Sequence, residues 1–234
     1  MDLLTIASES HRELQHRFLL SSKVQEYRIF NGHMDQVCET GEYRSRGWCE
    51  MGQAKLEFIL SYLQSGIRPD GHWFVFADAD ITFLRPSKQV FFDEIRAIGG
   101  QDILLQDDGR EFCSGLFVCK VSDRTRHLFA TSLEIAVEMA RENERLGRGY
   151  SAADQAALNA AITATRSRAS MLSHRFLNWH HLCSTELWKP GMSFRIPENA
   201  VAFHANWTIG IDNKVKLLQY VVDEVSNEAP SIST

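Results

Sequence analysis

The segment Trp73-Phe74-Val75-Phe76-Ala77 sets five apolar residues in succession and is followed at once by Asp78-Ala79-Asp80. A strand with one face in water alternates apolar and polar residues. An unbroken apolar run therefore predicts a strand covered on both faces, as in a largely parallel sheet between layers of helix. Further strands are predicted at residues 3–7, 26–30, 103–105, 116–121 and 201–203. Between them, the spacing of Met51, Leu56, Ile59, Leu60 and Leu63 predicts a helix over 48–64 that closes at Gly66. Ser87 stands where it would N-cap a helix carrying Val90, Phe91, Ile95 and Ile98, which stops at Gly99-Gly100. A long helix is predicted over 123–145, another after Ser151 as its cap, and a last one over 212–222. The expected architecture is one α/β domain over residues 1–225, a mixed, mostly parallel central sheet flanked by helices, with 226–234 as a flexible tail. Segments 33–48 and 178–198 read as long loops, where ligands are often held.

Composition narrows the function. The net charge of the 234-residue chain is −5 and no dense Lys/Arg run occurs, which argues against a nucleic-acid partner. No segment approaches the ~18 apolar residues that would span a bilayer. The opening residues lack a basic stretch followed by an apolar block, so a cytoplasmic location is expected. The five cysteines, Cys38, Cys49, Cys113, Cys119 and Cys183, show no Cys-x-x-Cys spacing and are expected to be reduced thiols filling the core.

Asp78 and Asp80 remain to be explained. In open α/β sheets, ligands bind beyond the carboxyl ends of the strands. Two carboxylates that point the same way at such an end are costly unless they share a cation or a proton. The stretch is similar to two families. Asp78-Ala79-Asp80-Ile81-Thr82 matches the D-x-D-x-T motif of haloacid-dehalogenase-like phosphatases, which would make Asp78 a nucleophile, and Asp107-Asp108 would supply that family's later acid pair. Its position 77 residues into the chain and the early arrival of the acid pair fit that family poorly.

The chain resembles the GT-A glycosyltransferases more fully, and within them the nucleotide-diphospho-sugar transferases. Lys55 lies in the helix ahead of the aspartate pair, "CSGLFVCK" (113–120) resembles the strand that lines the donor sugar, "DQAALN" (154–159) a helix start near that sugar, and "FHANWTIGIDNK" (203–214) the family's closing motif. The resemblance implies a single-domain GT-A, Rossmann-like fold. It implies a metal site of Asp78, Asp80 and His204, and a donor site with Lys55, Ala79, Ser114, Gly115, Asn206, Gly210 and Lys214. The ion is expected to be Mn²⁺ or Mg²⁺, the donor a nucleotide-diphosphate sugar of the UDP kind, and the acceptor a glycan or other hydroxyl. Asp154 and Gln155 are candidates for stabilising the sugar, and Asp107 and Asp108 for binding acceptor hydroxyls. Retention of configuration is expected; an inverting enzyme would draw its base from Asp107, Asp108 or Asp154. Cys113 departs from the family pattern, where many relatives carry Asn. A third reading is a catalytically idle domain that binds sugar nucleotides or glycans.

Several of these residues have plainer roles open to them. Asp154 suits a helix N-terminus, Lys55 the polar face of its helix, Lys214 and Lys216 a solvated surface, and Asp107-Asp108-Gly109 a turn. Arg44 and Arg46 are candidates for binding anions, and Trp179, His180, His181 and Trp188 either stack on an acceptor sugar or pack a loop.

Overall fold

The computed structural model describes all residues except 22, 39–46, 110, 147–153, 183–185 and 228–234. Arg44, Arg46, Cys183 and the expected cap Ser151 therefore lie outside the described residues. Six strands form the main sheet: β1 (Asp2–Ala7), β2 (Arg28–His33), β3 (Trp73–Ala77), β5 (Ile103–Asp107), β6 (Phe112–Lys120) and β7 (Ala169–Met171), in the order β2-β1-β3-β6-β5-β7. Only β6 runs against the others, pairing antiparallel with β3 and β5. A smaller sheet, β4-β9-β8, joins β4 (Ile81–Phe83), β9 (Ala202–His204) and β8 (Phe176–Asn178).

The apolar run has the expected cause. Phe74 and Phe76 point to one face of the sheet, where α2 (Trp48–Gln64), α4 (Asp123–Arg145) and α5 (Asp154–Thr165) cover them, and Phe76 stacks on Phe117 with centroids 5.3 Å apart. Val75 and Ala77 point to the other face, under Phe18 of α1 (Arg12–Leu20) and Phe91 of α3 (Lys88–Ile98). Both faces are dry, so neither tolerates a polar residue. The smaller sheet buries Phe203 and Leu177 against α7 (Ile211–Asn227), which reaches two residues beyond the expected domain end.

Three features differ from the sequence reading. The helix α1 and the three-residue strands β4, β7 and β8 were not anticipated, and β2 starts and ends later than the segment 26–30. Ser87 occupies the N-cap position of α3 but makes no side-chain cap. Its hydroxyl bonds instead to Tyr27 Oη at 2.6 Å, and the Glu26 carboxylate accepts the N–H groups of Ser87 and Lys88 at 3.0 and 3.2 Å. A distant carboxylate thus takes the place that a local hydroxyl would hold, with the added favour of a negative charge at a helix N-terminus.

An ion pair on a buried carboxylate locks the start of β1. Asp2, almost fully buried, accepts from Arg68 Nε and Nη2 at 2.6 and 2.8 Å and from Tyr62 Oη at 2.7 Å. Burial alone would push its carboxyl up, but Arg68 and Tyr62 together hold it below the ordinary value. A carboxyl depressed in the folded state stabilises fully above its unfolded pKa and loses that contribution as pH falls through the folded one. Asp2→Asn should therefore lower the unfolding free energy by a constant amount above about pH 5, and the deficit against wild type should shrink below about pH 4. Urea denaturation across pH 2.5–7 reads both; a deficit independent of pH would contradict this assignment.

Candidate active site

Parallel strands β1 and β3 end at the same edge of the main sheet, and the residues beyond them line an open cleft. Asp78 follows β3 directly, its N–H bonded to Gly115 O at 2.8 Å. The chain then turns, with Ile81 N–H returning to Asp78 O, and enters β4. Because Ile81 pairs with His204 across β4 and β9, His204 arrives beside Asp80, its Nε2 3.2 Å from Asp80 Oδ1. One donor atom from each of Asp78, Asp80 and His204 lies within 4.8 Å of the other two. Gly115 forms the floor. A Cβ there would stand 2.3 Å from His204 Cε1 and 2.8 Å from Asp78 Oδ2, so no larger residue fits beneath the cluster.

The two aspartates are offset by separate cations. Lys55, buried on α2, lies 2.9 Å from Asp78 Oδ1 and 2.7 Å from Asp154 Oδ2, with its ammonium over the Phe76 ring. Lys214 of α7 lies 2.5 Å from Asp80 Oδ2. Burial opposes charge on each of these acids, yet Lys214 and His204 hold Asp80 well below the carboxylate range, and Lys55 holds Asp154 below it. For Asp78 burial prevails over Lys55 and its carboxyl is raised. Lys55 itself is pushed up, because Asp154 and Asp78 outweigh its burial. Burial would lower His204, but Asp80 and Cys113 raise it to about 10.

Of the sequence-predicted residues, Lys55, Asp78, Ala79, Asp80, Asp154 and Lys214 line the cleft together. Ser114 sits behind them, its hydroxyl donating to Asp154 at 2.5 Å, and Gln155 Oε1 accepts the Ser114 N–H at 3.4 Å. Gln155 Nε2 donates to Asp108 at 3.0 Å and to Glu111 at 2.7 Å. Asp108 also receives Asn206 Nδ2 at 2.9 Å and Trp207 Nε1 at 2.8 Å, so it ties the loop after β5 to the chain on the far side of His204. Asp107 accepts the Gly109 N–H at 2.7 Å, with Gly109 in the left-handed region, which makes 107–109 a turn. Gly210 has φ of 87° and opens α7, delivering Lys214 one turn later. Lys216 is exposed.

Two expectations change. Lys55 is not on a solvated face, and Trp179 and Trp188 are buried in the smaller sheet's core, leaving Trp207, 47% exposed, as the aromatic at the surface. Cys113, the departure from the family pattern, is buried behind His204, its sulfur 3.7 Å from Nδ1. Sequence reasoning missed the cleft's other wall, formed by Ser8 and His11 after β1 and by Met34, Trp48 and Met51. Burial and nearby Lys214 lower the pKa of His11, which bonds to Ser10 Oγ at 3.1 Å. The signal was available: Ser8 stands beyond β1 as Asp78 stands beyond β3.

The family model for nucleotide-diphospho-sugar transferases matches residues 13–218, most of the chain. The chain belongs to that family. It is a glycosyltransferase, and its mixed central sheet flanked by helices is the GT-A fold. Similar solved structures include a glycosyltransferase involved in glycosylation of the major capsid of PBCV-1, with TM-score 0.57 and 9% identity over 94% of this chain and 99% of that one. Another is an active-site mutant of LgtC, with TM-score 0.50 and 12% identity over 94% and 95%. A third is GlyE of Streptococcus pneumoniae, with TM-score 0.50 and 11% identity over 97% and 62%. At these identities the likeness is one of fold. No curated protein sequence matches.

The charge arrangement of this glycosyltransferase has a measurable energy. Lys55→Met leaves Asp78 and Asp154 facing each other in a buried site, at an expected cost of about 3–5 kcal/mol. Adding Asp154→Asn should recover a large part of it, and a double-mutant cycle by urea denaturation measures the coupling. Additive losses would contradict the shared ion pair.

Proposed function

We propose that the enzyme transfers a sugar from a UDP-linked donor to a hydroxyl of a glycan acceptor, with a divalent ion, Mn²⁺ in preference to Mg²⁺, held by Asp78, Asp80 and His204. The observation that carries this reading is the convergence of two carboxylates and one buried imidazole beside a cleft that also presents Lys214. The donor set fits such an ion: two hard oxygens and one nitrogen, on rigid strand ends, suit Mn²⁺ better than Mg²⁺. When bound, the ion supplies Lewis-acid charge to the leaving diphosphate.

The chain's own residues do the rest. Lys214 places a fixed positive charge beside the ion's aspartate, where developing negative charge on the diphosphate is stabilised. Ser8, His11, Met34 and Trp48 form the wall against which the nucleoside lies. Asp154 and Gln155 face the sugar side, Ser114 and Gly115 border it, and Asn206 and Gly210 shape the loop that carries Lys214 over the phosphates. Asp107 and Asp108 stand on the acceptor side. Retention of configuration is favoured because the candidate bases are already engaged: Asp154 by Lys55 and Ser114, Asp108 by Gln155, Asn206 and Trp207, and Asp107 by the Gly109 N–H. None of the three is placed as an unpaired base that could activate an acceptor for inversion.

Calorimetric titration with UDP, GDP and dTDP in Mn²⁺ and then in EDTA tests the reading, followed by hydrolysis assays on a panel of UDP-sugars. UDP should bind only with metal, one UDP-sugar should be consumed faster than the others, and His204→Ala should weaken metal-dependent binding at least ~10-fold, the scale on which a supporting group alone affects a metal site. Nucleotide binding that ignores EDTA would refute the metal. Metal-dependent binding with no donor consumed would favour an idle binding domain.

A further inference from the structure

Gln106 is completely buried at the end of β5, and each end of its amide is committed. Nε2 donates to two main-chain carbonyls of β8, Leu177 O at 2.7 Å and Phe176 O at 3.2 Å. Carbonyls only accept, so the amide nitrogen must face them and the orientation of the side chain is determined. Oε1 then faces His204 Nδ1 at 2.9 Å. An amide oxygen only accepts, so Nδ1 must carry a proton, and Nε2, the nitrogen turned toward Asp80, is the one whose lone pair a metal would take. The register shift in the β5–β6 pairing makes this possible. Gln106 pairs with Cys113, where continuous pairing would have set it opposite Leu116, and the three residues passed over include Gly115 beneath the imidazole.

We infer that Gln106 is a positioning residue for the metal: by accepting the Nδ1–H of His204 it presents Nε2 as a ligand and fixes the ring's rotation. This rests on the metal reading above. The same chemistry separates this cluster from a second group of possible ligands, Asp107, His174 and His181. There the Asn178 N–H donates to His181 Nδ1 at 3.2 Å, which places the ring proton on Nε2, the nitrogen 3.7 Å from Asp107. Coordination there would require the ring to give up its one proton, so His181 is not set to take a metal through Nε2. Of these two clusters, the His204 ring is the one set in the metal-binding tautomer.

The test is Mn²⁺ affinity, measured by electron paramagnetic resonance of free Mn²⁺ with the metal alone, for wild type, Gln106→Leu and Gln106→Glu. Both variants lose the two bonds to β8, but glutamate keeps an acceptor facing Nδ1. Gln106→Leu should weaken Mn²⁺ binding by roughly 10–100-fold, the range seen when such supporting groups are removed, while Gln106→Glu stays within a few-fold of wild type. Equal loss in both variants would reduce Gln106 to a brace for β8 and overturn the inference, as would unchanged affinity in both. Absence of Mn²⁺ binding by the wild type would instead remove the metal reading itself. Should the variants fail to fold, ¹⁵N NMR of the wild type with diamagnetic Zn²⁺ decides: a proton on Nδ1 of His204 supports the assignment, and one on Nε2 overturns it.

Discussion

Two carboxylates separated by one residue at the end of a buried strand are the constraint around which this molecule is organised. Each is compensated by a lysine from a different part of the chain, Lys55 from the second helix and Lys214 from the last, and the second carboxylate also meets His204. The consequences spread outward. Lys55 can reach Asp78 only because α2 lies directly on the main sheet, and it carries Asp154 at the start of α5 into the same network. Lys214 arrives because Gly210 adopts a left-handed turn just before α7. The site is therefore electrostatically coherent before any ligand enters, and an ion bound as proposed would join a set of charges already held in place.

The smaller sheet explains how distant segments meet. Its strands are only three residues long, too short to be stable alone. They nevertheless position His204 next to Asp80, and through the β8 carbonyls they orient Gln106. Packing of Phe203 and Leu177 against α7 supplies the burial that keeps these strands paired. His204, Gln106 and Lys214 thus depend on one satellite core at the edge of the main sheet.

Much of this was readable from the residues. The run 73–77 is apolar because both faces are buried, and that alone indicated the α/β layers. The aspartate pair, His204 and Lys214 were nameable from motif order. What escaped has physical reasons. Three-residue strands show no periodicity, so β4, β7 and β8 left no trace. The cap of α3 comes from Glu26, about sixty residues away, which no local pattern reveals. Lys55 was more legible than it was taken to be: it lies four residues after Met51 and four before Ile59, on the apolar stripe of its helix, where a lysine needs a buried partner. Gln106, directly after the apolar run Ile103–Leu105 of β5, carried the same kind of signal, but its partner is 98 residues away and only the fold joins them.

Anomalous diffraction at the manganese edge, from crystals grown with Mn²⁺ and UDP, tests whether Asp78, Asp80 and His204 form one metal site beside a nucleotide cleft. One anomalous peak is expected among these three side chains, in contact with the diphosphate, with the nucleoside against Ser8 and His11. A nucleotide bound there with no peak, or a peak at Asp107 and His181 in its place, would contradict it.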